Sequence, residues 1–155
     1  MMKRVLCVVM VFCLLMLTAC SQQPAKEVDL KTVMDNLGAK YGLSEGMLDL
    51  TADDLLDLYG IAASDVKQYQ ARIKLESIQA DEIVLIEAAD AKAAGRVKEK
   101  LDARYQTKLN ETRDYLPDEF DKIEKCKVVQ IGNHIALIVC AEGQVAIGEY
   151  EKAVK

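Results

Sequence analysis

The chain has 155 residues, with 20 basic and 25 acidic side chains, a formal charge of −5 and five cysteines. A net-negative surface without a basic cluster argues against nucleic acid, because duplex binding draws its affinity largely from cations that neutralise phosphates. The length fits one domain rather than the two lobes of a solute receptor.

Lys3 and Arg4 form a short positive head, Val5 to Leu17 an apolar run without a charge, and Thr18 and Ala19 small residues ahead of Cys20. That is the order of parts in an export signal. A helix needs roughly 20 apolar residues to cross about 30 Å of hydrocarbon. This run is shorter and stops at Ser21-Gln22-Gln23-Pro24, which speaks against a permanent span.

Leu17-Thr18-Ala19-Cys20 resembles the lipobox of bacterial lipoproteins. The resemblance implies that Leu17, Thr18 and Ala19 are read by a signal peptidase, that residues 1–19 are removed, and that the Cys20 thiol carries a diacylglyceryl group. Two acyl chains are needed because one gives only marginal, reversible binding, at roughly 0.8 kcal/mol per buried methylene. The expected partner is thus the membrane itself, with the chain anchored through Cys20 on the extracytoplasmic face. Cleavage leaves 136 residues with 18 basic and 25 acidic side chains, a net charge of −7. Residues 20–26 serve as a short tether and residues 27–155 as a single domain.

Leu30, Val33, Met34 and Leu37 repeat at helical spacing, which predicts a helix from about Glu27 to Leu37 that Gly38 ends. Thr51 with Asp54 three residues on has the form of a helix-start cap. The short helix that follows carries Leu55, Leu56, Leu58 and Tyr59, with Gly60 just past its end. From Gln68 the period changes: Tyr69, Ala71, Ile73 and Leu75 alternate with polar residues, as in a strand with one wet face. Ile83 to Ile86 is apolar at every position, which fits a more central strand.

Asp90 caps a long helix in which Ala94, Val97, Leu101 and Tyr105 track one face, continued by Leu109 or Thr112. Pro117 starts a further helix with Phe120 and Ile123 on its buried side. Lys127–Ile131 and Ile135–Val139 read as two strands around Gly132-Asn133-His134, and Val145 to Val154 as a closing helix. The sum is an α+β domain: a mainly antiparallel four-stranded sheet of two hairpins with helices packed on one face.

Cys7 and Cys13 leave with the signal, so Cys126 and Cys140 are the thiols of the domain. A three-residue turn places them opposite each other, whereas a two-residue turn pairs Cys126 with Val139 and sends the two side chains to opposite faces. A bridge and free, partly buried thiols are both open, and nothing resembles a redox C-x-x-C.

His134 reads as a surface turn residue, since triad and metal roles need partners that the local sequence lacks. Asp53, Asp54 and Asp57, and the acids Asp114, Asp118, Glu119, Asp121 and Glu124, read as solvated helix surface that complements the helix dipole; no calcium-loop pattern accompanies them. Glu82 and Glu87 flank the most apolar strand and are either strand-end charges or paired carboxylates in a cleft. No phosphate loop or hydrolase motif occurs, Asn110-Glu111-Thr112 is a glycosylation acceptor only in a host that uses such sites, and neither a metal, a cofactor nor a catalytic residue is assigned.

Four stretches in order, "DLLDLYGI", "IQADEIVLIEAAD", "DYLPDEFDKIE" and "VVQIGNHIALIVC", are similar to a family of small bacterial lipoproteins known as domain of unknown function 4358. The resemblance transfers no catalytic residue. The expected function is that of a membrane-anchored binding or accessory module that contacts a protein or a cell-wall component, the alternative being a small carboxylate-dependent surface enzyme.

Overall fold

The computed structural model describes residues 27–75, 81–113 and 115–155. The signal, the lipobox and Cys20 lie outside them. The described elements are α1 (Leu30–Tyr41), β1 (Met47–Asp49), α2 (Ala52–Tyr59), β2 (Val66–Lys74), β3 (Glu82–Ala88), α3 (Ala91–Arg113), α4 (Pro117–Ile123), β4 (Val128–Ile131), β5 (His134–Val139) and α5 (Gly143–Val154). The strands form one antiparallel sheet in the order β1-β2-β3-β5-β4.

Two expectations are corrected. The sheet has five strands, not four: β1 adds to β2 with Leu48 opposite Ile73. Three residues are too few to show an alternation, and β1 is held by pairing with β2, including an Asp49–Arg72 ion pair of 2.6 Å across the register. The helices also cover both faces rather than one. Every residue of β3 and of β5 is buried, and a strand flanked by neighbours and apolar on both sides must be covered on both sides.

The parity of the pleat sorts the core into two. Val84, Ile86, Ala88, Ile135, Leu137 and Val139 pack with Leu55 and Tyr59 of α2, Ala94, Val97 and Leu101 of α3, and Ile123 of α4. Ile83, Leu85, Ala136, Ile138 and Cys140 pack on the other side with Leu30, Val33, Met34 and Leu37 of α1 and Ala146, Ile147, Tyr150 and Val154 of α5.

Local chemistry sets the helix ends. Asp29 caps α1 by accepting from the Lys31 amide at 3.0 Å, and Thr51 and Asp54 form a reciprocal capping box on α2. Helix α1 runs past Gly38, its expected end, to a left-handed cap at Gly42 with φ 68°. Gly38 serves close packing rather than a stop, since a Cβ there would collide with Ser44 Oγ.

Helix α5 starts against the opposite wall. A Cβ on Gly143 would lie 2.5 Å from Cys126 Sγ. Gly143→Ala is therefore expected to lower stability by about 1–3 kcal/mol, the usual cost of overpacking. Combining it with Cys126→Ala should return part of that loss, a non-additivity that urea denaturation of the two single variants and the double variant measures. Strict additivity would mean that the contact is absent.

Candidate functional site

Cys126 and Cys140 follow the two-residue register. Ile131 faces His134 and Val128 faces Leu137, which sets Cys126 toward Val139 rather than Cys140. The two side chains belong to the separate cores, Cys126 on the α3 side and Cys140 on the α5 side, and both are free and buried. Burial raises both thiol pKa values, that of Cys140 to about 11, so neither is an activated nucleophile.

Glu82 and Glu87 are both buried, and their parity differs. Glu82 opens β3 on the α3 side with no exposed surface. Arg104 Nη2 and Lys108 Nζ, one turn apart on α3, each reach Glu82 Oε2 at 2.9 Å. The Arg104 guanidinium lies 5.6 Å from the centroid of the Tyr59 ring. Burial, and then the charge of Glu82, hold the Tyr59 hydroxyl well above the usual phenol pKa. A strand acid, two helix cations and a phenol thus meet where β3 begins.

Glu87 lies near the other end of β3, on the α1/α5 side. Lys67 Nζ donates to its Oε1 at 2.8 Å and Gln68 Nε2 to its Oε2 at 2.6 Å. Burial alone would raise the carboxyl pKa, but the bonds from Gln68 and Lys67 outweigh it and hold the value below the ordinary one. The next strand brings His134 opposite Glu87, with Nε2 3.9 Å from Oε2. His134 is 1% exposed, which corrects its reading as a surface turn residue. Gly132 and Asn133 alone make the turn, so His134 is the first residue of β5 and its side chain points into the fold. Burial lowers its pKa, opposed by the charge of Glu87.

Gln68 ties this row to the point where the chain enters the domain. Its Nε2 also donates to the Val28 carbonyl at 2.7 Å, and its Oε1 accepts from the Leu30 amide at 3.2 Å. Sequence reading named the two acids but not their partners. One signal was present: Lys108 falls seven residues after Leu101 on the same helical stripe, and a cation on a buried stripe asks for a buried acid.

Of the remaining acids Asp118, Asp121 and Glu124 are exposed, Glu119 and Asp81 are half-buried, and Asp114 lies outside the described residues. Asp54 caps α2, Asp53 and Asp57 are exposed, and Glu119 and Asp81 hold Lys122 at 2.9 and 3.2 Å. Among the described residues no cluster of three or more His, Cys, Asp or Glu is placed to hold a metal. No described helix is long and apolar enough to cross a membrane.

The surface carries small grooves. One of about 190 Å³ is lined by Ala52, Leu55, Ile61, Val66 and Tyr69, and one of about 450 Å³ by Lys31, Asp49 and Arg72. Neither Glu82 nor Glu87 lines them. At the β1 edge Leu48 is 48% and Leu75 69% exposed. Leu48 pairs with Ile73, and Leu75 follows two residues later, just past the end of β2 at Lys74.

A family model described as domain of unknown function (DUF4358) matches residues 39–140. No curated protein and no solved structure matches.

Removing the Glu82 charge while keeping its shape would leave Arg104 and Lys108 facing a neutral amide. Glu82→Gln is expected to destabilise by about 3 kcal/mol or more, as is usual when one partner of a buried ion pair is lost. Denaturant unfolding of the variant checks this; a change under about 0.5 kcal/mol, the level of an ordinary surface substitution, would show that the cations do not depend on Glu82.

Proposed function

Because the chain belongs to the domain of unknown function 4358 family, we propose that it is a lipid-anchored extracytoplasmic module that acts by binding. The anchor reading rests on the order of charged head, apolar run, small residues and Cys20. Residues 20–26 then form the tether. Seven residues span at most about 25 Å when fully extended, so the domain stays close to the bilayer.

One observation carries the choice of binding over catalysis: the buried acids are locked. Glu82 and Glu87 are each engaged by two nearby donors inside the fold, whereas a general acid or base must touch the reacting group. Glu87 is shifted the wrong way for such a role. The exposed leucines at the β1 edge are the better contact surface, since apolar groups left in water favour association when a partner covers them.

Two experiments test the parts separately. Mass spectrometry of the membrane-extracted chain should find it beginning at Cys20 with two acyl chains on a thioether-linked glyceryl group, and Cys20→Ala should remain an unacylated precursor. A bare Cys20 thiol in the wild type would overturn the anchor. For binding, the chain solubilised in mild detergent should retain a stoichiometric partner that the exposed double substitution Leu48→Lys/Leu75→Lys loses at unchanged stability. Equal retention by both forms would remove this edge as the contact.

A further inference from the structure

We propose that residues 28–30 are an acid-released strap: charging of His134 opens the segment that joins the tether to the domain, while the sheet beneath stays folded. The strap is a property of the folded domain. Its consequence for tether length alone rests on the Cys20 anchor.

The geometry links the two places through one side chain. Gln68 holds the strap from both sides, accepting from Leu30 N and donating to Val28 O. The same Nε2 donates to Glu87 Oε2, the oxygen that faces His134 at 3.9 Å. That separation is too long for a hydrogen bond. Among the described residues neither ring nitrogen of His134 and no atom near the Tyr150 hydroxyl completes a hydrogen bond for these buried groups. Val28 and Leu30 belong to the apolar cluster on the sheet face that carries His134.

The charged and titratable groups around His134 come from every neighbouring element. Glu87 stands on β3 and Lys67 with Gln68 on β2. The Tyr150 hydroxyl comes from α5, kept protonated by burial and by the Glu87 charge. At the strap, Asp29 is engaged with Lys31 N and Thr32 Oγ1, and Glu27 lies near Lys67. A proton on His134 would leave two cations, His134 and Lys67, sharing the single charge of Glu87. One positive charge in a dry site is costly, and admitting water relieves it.

The strap is the element that yields. Strands β3 and β5 are paired on both sides within the sheet, and α5 is fixed by Ala146, Ile147 and Val154. Val28 and Asp29 lie outside any helix or strand, and such segments open at the low end of the stability range. The sign follows from the histidine. Its closed-state pKa lies below the ordinary value, so the open state takes the proton first and falling pH favours opening. Glu87, also lowered, stays ionised through that window.

Hydrogen–deuterium exchange on the full chain in detergent micelles, at pH 7.5 and pH 5.5 and corrected for intrinsic exchange rates, tests the strap. Protection in the peptide spanning residues 28–33 should fall by up to about tenfold, the extent to which an imidazole of ordinary pKa is charged one unit below that value. Peptides from β3 and β5 should keep theirs. His134→Phe should abolish the response. Glu87→Gln, which leaves the histidine but removes its counter-charge, should make the fall between the two pH values at least as large as in the wild type, because the closed state then holds the proton less well. Loss of protection everywhere at once, no loss at 28–33, or an unchanged response in His134→Phe would overturn the strap. If His134→Phe does not fold, a smaller fall in Glu87→Gln than in the wild type does so.

Discussion

Two strands with no wet face dictate this fold. Ile83-Val84-Leu85-Ile86 and Ile135-Ala136-Leu137-Ile138 are apolar at every step and lie side by side in register. Burial of such strands contributes roughly 25 cal/mol per Å² of apolar surface, but only when both pleat faces are covered. A single layer of helices would leave every second residue in water. The chain answers with α2, α3 and α4 on one side and α1 and α5 on the other. The cores are separate because the sheet lies between them, and the thiols of Cys126 and Cys140 end up on opposite sides of it.

Covering both faces creates a second problem at the strand ends. Glu82 and Glu87 bracket the apolar run, and the helices that shield the run also shield them. A lone buried carboxylate is too costly to keep ionised. Each acid is matched differently. Glu82 takes its cations from a helix, through Arg104 and Lys108, an arrangement that fixes where α3 sits along the strand. Glu87 takes its donors from the adjacent strand, Lys67 and Gln68, so it fixes the strand neighbour and the chain entry instead. Buried ion pairs are weak sources of net stability compared with apolar packing of the same volume. Their physical effect here is to specify register.

Much of the fold was legible where a signal is local. Thr51 with Asp54, Asp90, Pro117 and the stripe Leu30-Val33-Met34-Leu37 are each read within a few residues, and the helices stand at those places. What was missed depends on contacts far apart in sequence. Strand β1 is three residues long and has no period to read. Gly38 looks like a helix stop and instead serves a close approach of the loop at Ser44. His134 reads as part of the turn until register fixes the loop at two residues, and a shift of one residue reverses every side chain. A one-face arrangement is at odds with the run Ile83–Ile86, which is apolar at every position and needs cover on both sides.

The junction at Gln68 explains why two weak features belong together. A primary amide has both a donor and an acceptor end, and Gln68 spends both on the backbone that enters the domain while its NH₂ also reaches Glu87. A carboxylate in its place could accept from Leu30 but not donate to Val28 or Glu87. An apolar residue would leave all of these groups unpaired. The polar row Gln68-Glu87-His134, running across three adjacent strands, therefore connects the backbone at Val28 and Leu30 to the most buried strands of the domain.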